Sequence, residues 1–194
     1  MREILARFRE KLKKVIRPIA ITIAETGISP NIVTIAGFIV AALTPIATIY
    51  MLYIGYIICV LLSSTLDALD GEIARVRGRV SKLGAFLDSF LDRVSDVFYI
   101  YSLTFLGLDS TIVVTLIVLS ILISYSRARA EGLGVAVEGV GLMERGERVI
   151  ALIIIVAISY FYKDLLLIGS LLLIVLLLYT LLERVYYIMR KLVT

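Results

Sequence analysis

From Thr26 to Leu66 the chain carries no Asp, Glu, Lys or Arg. A soluble domain breaks its apolar runs with charge. This one lasts long enough for one bilayer crossing, a turn and most of a second crossing. With 60% apolar residues and a mean hydropathy of +1.01, the chain reads as an all-α integral membrane protein. Its net charge of +4 then speaks to topology and anionic headgroups rather than to nucleic acid. The absence of histidine excludes His-based catalysis and the usual zinc sites, and the single cysteine, Cys59, excludes an internal disulfide. No cleavable signal peptide is expected, because Met1 to Arg17 is charged throughout.

Residues 2–17 read as an amphipathic helix lying in the membrane interface. Ile4, Leu5, Phe8, Leu12, Val15 and Ile16 follow the helical period, with Arg7, Arg9, Lys11, Lys13, Lys14 and Arg17 opposite. Pro18 is expected to end or kink it. Ser29-Pro30-Asn31 is a helix start, and six crossings follow at about 30–50, 57–77, 83–106, 111–131, 144–162 and 165–190. Tyr50, Tyr53 and Tyr56 suit a membrane boundary. Gly107-Leu-Asp109-Ser110 reads as a turn with a helix cap, and 132–141, with four glycines, as a loop. The expected organisation is a juxtamembrane helix and linker at 1–28 and a six-helix transmembrane domain at 29–194.

Of twenty Lys and Arg residues, only Lys163 falls in the turns after helices one, three and five. The positive-inside rule therefore makes the N-terminal side cytoplasmic, and it predicts a multi-pass cell-membrane protein.

On that same side lie Asp67, Asp70, Asp88 and Asp92, spaced by three, eighteen and four. Residues three or four apart share a helix face, so each pair points one way. A short turn makes the two helices antiparallel neighbours, and small residues such as Gly71, Ala74 and Gly84 allow close approach. Four carboxylates converging in a low dielectric repel one another unless a divalent cation, Mg²⁺, Mn²⁺ or Ca²⁺, sits among them. The alternative is a set of ion pairs with Arg75, Arg77, Arg79 and Arg93.

The run Asp67-x2-Asp70-Gly71-x2-Ala74-Arg75-x8-Gly84-x3-Asp88-x3-Asp92 resembles the signature of the CDP-alcohol phosphotransferases (CDP-alcohol phosphatidyltransferases) at all eight positions. That resemblance implies six transmembrane helices and transfer of a substituted phosphate from a CDP-linked lipid to an alcohol, with release of CMP. It implies that Asp67, Asp70 and Asp88 hold one or two Mg²⁺ or Mn²⁺ ions. Asp92 would act as general base and also touch metal. Gly71, Ala74, Arg75 and Gly84 would line the CDP site with the aspartates. Asn31 and Thr34 also look like the family's nucleotide-pocket element, although Pro30 and Asn31 are equally ordinary helix-start residues. A homodimer is part of the same implication.

Ser124-Tyr125-Ser-Arg127-Ala-Arg129 and Glu144-Arg145-Gly-Glu147-Arg148 place arginines at two helix ends. Such a cluster suits a second phosphate; topology alone would also put arginines there. The pattern resembles the branch that makes phosphatidylinositol phosphate or archaetidylinositol phosphate, which implies a water-soluble polyol phosphate, inositol 1-phosphate, held by Ser124, Arg127, Arg145 and Arg184. Glycerol 3-phosphate is the alternative acceptor. Asp96 is expected to pair with Arg93 or Arg127, or to cap the polar cavity. A transporter with intramembrane acids on its ion path is the rival class, distinguished by flux across sealed vesicles. A lipid-binding scaffold, the second rival, would bind headgroups unchanged after Asp92→Asn.

Overall fold

The computed structural model describes residues 16–78 and 81–193, and all regular structure there is helical. α1 covers residues 16–25. It is followed by α2 (Pro30–Ala42), α3 (Thr44–Ile49), α4 (Tyr53–Val76), α5 (Lys82–Tyr101), α6 (Ser110–Gly132), α7 (Arg145–Ser159) and α8 (Asp164–Val193), with a 3-10 turn at Ser102–Leu106 after α5. The expected amphipathic helix falls, up to residue 15, outside the described residues. Contacts group the chain into two compact units, residues 1–41 with 61–94, and residues 42–60 with 95–194.

In the first unit the turns before Pro18 lie outside the described residues; the described part of α1 includes Pro18 and continues to Glu25, so the chain stays helical beyond the proline. Packing explains this. Ile16, Ala20, Ile23 and Ala24 form one stripe of α1 and bury themselves with Val33 of α2 and with Leu69 and Ile73 of α4. Arg77, at the end of α4, donates to the carbonyls of Ala24 and Gly27 and so caps the C-terminal end of α1. α2 and α4 meet at Gly37, where a methyl group would lie 3.3 Å from Leu66 Cβ, and Ser63 Oγ donates to the Gly37 carbonyl at 2.7 Å.

In the second unit α8 packs on α6 and α7, burying Leu116 and Ile123, Leu152 and Val156, and Leu173 and Leu177. The expected cap is present: Asp109 Oδ1 accepts from the Thr111 N–H at 2.8 Å. The glycine-rich connection joins α6 to α7 as a loop from Leu133 to Glu144. Gly141 has φ +102°, and a Cβ there would sit 2.5 Å from Thr180 Cγ2, so only glycine lets the loop lie this close on α8. Tyr56 departs from its expected boundary position. It is fully buried and its hydroxyl donates to the Tyr99 carbonyl at 3.3 Å, because a buried phenol needs an acceptor.

The first expected crossing is broken at Leu43, where α2 gives way to α3 with Pro45 in its first turn. Among the described residues, four segments are long and apolar enough to cross a bilayer: Pro30–Ile49, Tyr53–Val76, Ser110–Gly132 and Asp164–Val193. α5 carries Lys82, Asp88, Asp92, Arg93 and Asp96, and α7 has only 15 residues, so composition and length alone do not make these two spans.

Candidate active site

Asp67 and Asp70 sit one turn apart near the end of α4, and Asp88 sits in the second turn of α5. Ser81 starts α5 by accepting the Gly84 N–H at 2.9 Å. A carboxylate oxygen from each of Asp67, Asp70 and Asp88 lies within 4.8 Å of the other two. Asp70 is 3% exposed, and its Oδ2 is buried with no hydrogen-bond partner. An unsatisfied buried carboxylate oxygen is costly. Three hard oxygens gathered around it fit a divalent cation such as Mg²⁺ or Mn²⁺.

Beside these acids lies a cavity of about 660 Å³. α2 contributes Asn31 and Thr34 to its wall, α4 contributes Asp70, Gly71, Ala74 and Arg75, and α5 contributes Gly84 and Asp88. Gly84 is where α5 closes on α2: a Cβ would stand 3.1 Å from Asn31 Oδ1 and 3.0 Å from Ser81 Oγ. Arg75 folds back along α4, its Nε donating to the Gly71 carbonyl at 2.9 Å and its Nη2 3.4 Å from Glu72. Gly71 leaves room for that guanidinium, which would be 3.4 Å from a Cβ there. The Thr34 hydroxyl lies 3.1 Å from the Pro30 carbonyl within α2.

Of the arginines offered as partners for the motif acids, Arg79 lies outside the described residues. Arg75 takes Glu72, and Arg77 takes the α1 carbonyls. Arg93 donates to the Ser89 carbonyl and lies 3.9 Å from Asp92 Oδ2. Asp92 stands one turn beyond Asp88 on α5, outside the group of three.

The second unit holds its own polar cluster. Arg148 is 4% exposed and Asp96 7%. Arg148 Nη2 donates to Asp96 Oδ2 at 3.0 Å and to Ser124 Oγ at 3.3 Å, and Arg145 Nε donates to Asp96 Oδ1 at 3.3 Å. Ser124 and Arg145 are thus brought together, through Arg148 and Asp96. Arg127 pairs instead with Glu131 at 2.8 Å on the exposed side of α6. Arg184 is buried and donates to the Val140 and Ile123 carbonyls, tying α8 to the loop and to α6.

The family model for CDP-alcohol phosphatidyltransferases matches residues 27–186. The chain belongs to the CDP-alcohol phosphatidyltransferase family. Among relatives of this family, the archaetidylinositol phosphate synthase of Aeropyrum pernix is 40% identical over 163 residues, 84% of either chain. That of Pyrococcus horikoshii is 38% identical over 97% of this chain and 98% of its own. In structure the chain is similar to the phosphatidylinositol phosphate synthase of Mycobacterium tuberculosis with CDP-DAG bound. The TM-score is 0.81 at 28% identity, covering 90% of this chain and 94% of that one. The same enzyme in complex with manganese and citrate gives a TM-score of 0.80 at 29% identity, covering 89% and 88%.

As a member of that family the chain is a transferase, and its acidic group suits a divalent metal. The sequence offered Asp96 a pairing with Arg93 or Arg127, or a place capping the polar cavity; the fold pairs it with Arg145 and Arg148. Arg93 and Arg127 are consumed by near neighbours on their own helices, Asp92 and Glu131. Arg145 and Arg148 come from some fifty residues away. Their i, i+3 spacing was visible in the sequence, but their shared carboxylate was not.

Proposed function

We propose that this protein makes an inositol-phosphate lipid: it transfers the substituted phosphate of a CDP-linked lipid, CDP-archaeol or CDP-diacylglycerol, to a hydroxyl of inositol 1-phosphate and releases CMP. The observation that carries the reading is the group Asp67, Asp70 and Asp88 around a partnerless buried oxygen, set in the wall of a cavity lined by the family's motif residues. The names of the Aeropyrum, Pyrococcus and Mycobacterium relatives support inositol phosphate as acceptor.

Asp67, Asp70 and Asp88 would hold one or two Mg²⁺ or Mn²⁺ ions, with Asp92 adjoining them on α5. Such ions, when bound, neutralise charge on the diphosphate. Asn31, Thr34, Gly71, Ala74, Arg75 and Gly84 line the cavity for the CDP moiety, the small residues leaving room for a flat base. Asp92 takes the acceptor's hydroxyl proton. The acceptor oxygen bonds to the lipid-side phosphorus, the pyrophosphate P–O bond breaks, and CMP leaves. Ser124, Arg127, Arg145 and Arg184 hold the acceptor's own phosphate; Ser124 and Arg145 meet in one polar cluster with Arg148 and Asp96, whereas Arg127 pairs with Glu131 and Arg184 with backbone carbonyls.

The residues from 29 onward form the catalytic domain, crossing the membrane six times as α2 with α3, then α4, α5, α6, α7 and α8. The N-terminal helix lies in the interface, and the N-terminus and site face the cytoplasm, where a soluble polyol phosphate is met. The working form is a homodimer. The deciding assay is CMP release with CDP-lipid and Mg²⁺ or Mn²⁺ against inositol 1-phosphate, glycerol 3-phosphate, free inositol and serine. Turnover with inositol 1-phosphate is expected. Turnover with a phosphate-free alcohol alone would sink the acceptor assignment, and turnover confined to glycerol 3-phosphate would replace it with the second reading.

A further inference from the structure

Asp96 belongs to no part of the signature, yet it is among the most buried charges of the described chain. One carboxylate oxygen accepts from Arg145 Nε and the other from Arg148 Nη2, at 3.3 and 3.0 Å. The two arginines differ in their surroundings. Arg148 has a side chain only 5% exposed and is engaged inwardly, its Nη1 donating to the Met143 carbonyl at 3.4 Å and its Nη2 also to Ser124 Oγ. Arg145 keeps its side chain 26% exposed. Two guanidinium groups drawn onto one carboxylate gather arginine donors beside Ser124, and the planar arginine fork is the side chain best matched to a phosphate.

We propose that Asp96 is a positioning residue that locks Arg145 and Arg148 into a fixed cationic seat for the acceptor's phosphate. Asp96 does not touch substrate. It grips Arg145 at Nε, the base of the guanidinium fork, and so sets the orientation of the whole fork. Through Arg148 it also fixes Ser124. This rests on the acceptor reading above, and it names the group that shapes that site.

The test is steady-state CMP release by the full-length protein in lipid nanodiscs, for wild type, Asp96→Asn and Asp96→Glu, with each substrate varied in turn. Asp96→Asn is expected to raise KM for inositol 1-phosphate about ten- to a hundredfold, the loss that one charged hydrogen-bond partner commands. KM for the CDP-lipid should move by less than about twofold, because only one substrate loses binding. Asp96→Glu should recover part of the loss, and competitive inhibition by inorganic phosphate should weaken in Asp96→Asn alone. An unchanged KM for inositol 1-phosphate overturns the proposal, as does a parallel rise in both KM values with a lowered Tm. If Asp96→Asn does not fold, Asp96→Glu decides by the same split between the two KM values. Wild type that uses only phosphate-free alcohols defeats the acceptor reading and this inference together. Wild type that uses inositol 1-phosphate beside an unaffected Asp96→Asn defeats this inference alone.

Discussion

At the scale of single residues, Asp70 carries the most. It is the most buried of the motif acids, and one of its oxygens has no partner in the protein. Asp70→Asn keeps the shape and removes the charge a cation needs. CMP release should fall at least about a hundredfold, and the rise in Tm given to wild type by Mn²⁺ should vanish. An asparagine variant still stabilised by Mn²⁺ would show that Asp70 is no ligand. The acids were legible in the sequence because intramembrane carboxylates are expensive and their spacing puts them on common helix faces. The role of Gly84 was legible only as a small residue. That its missing side chain is what admits Asn31 Oδ1 depends on where α2 stands.

At the scale of elements, two caps make predictions. Arg77 closes the end of α1, so Arg77→Ala should cost about 0.3–1 kcal/mol locally, seen as faster amide exchange over residues 20–25 with the remaining helices unchanged. Equal exchange in both proteins would show that apolar packing alone holds α1. At α6, hydrogen bonds from the Thr111 hydroxyl and then its backbone N–H hold the Asp109 carboxyl below its ordinary value of 3.8. A depressed native value means that the cap's contribution is present above the unfolded value and is lost as pH falls through the native one. Amide protection in the first turn of α6 should therefore drop below about pH 4 in wild type and stay level in Asp109→Asn, which caps without titrating. The cap was readable because Asp before Ser-Thr is a local signal. Arg77 was not, since its acceptors lie about fifty residues earlier, and the persistence of α1 past Pro18 was hidden because tertiary burial of its stripe decided it.

At the scale of the whole molecule, the divalent ion is the strongest lever. Stripping it with a chelator should abolish CMP release and lower Tm, and Mg²⁺ or Mn²⁺ at about a hundred times its Kd should restore about 2.7 kcal/mol. Full activity after exhaustive chelation would refute a metal-dependent transfer. Short-range order was enough to read three things from the residues: an all-helical membrane chain, from charge-free runs; paired acids on two successive helices, from a period of 3.6; and the start and cap signals between them. Partnership across distance emerged only once the helices were packed. Asp96 meets Arg145 and Arg148, Arg184 meets the carbonyls of Val140 and Ile123, Tyr56 is drawn into the interior, and the motif residues of α2, α4 and α5 share one cavity wall. The reason is physical. Helical periodicity fixes which face a side chain occupies, whereas burial selects which distant face it meets, and a buried charge or hydroxyl then takes whatever complementary group that packing brings within reach.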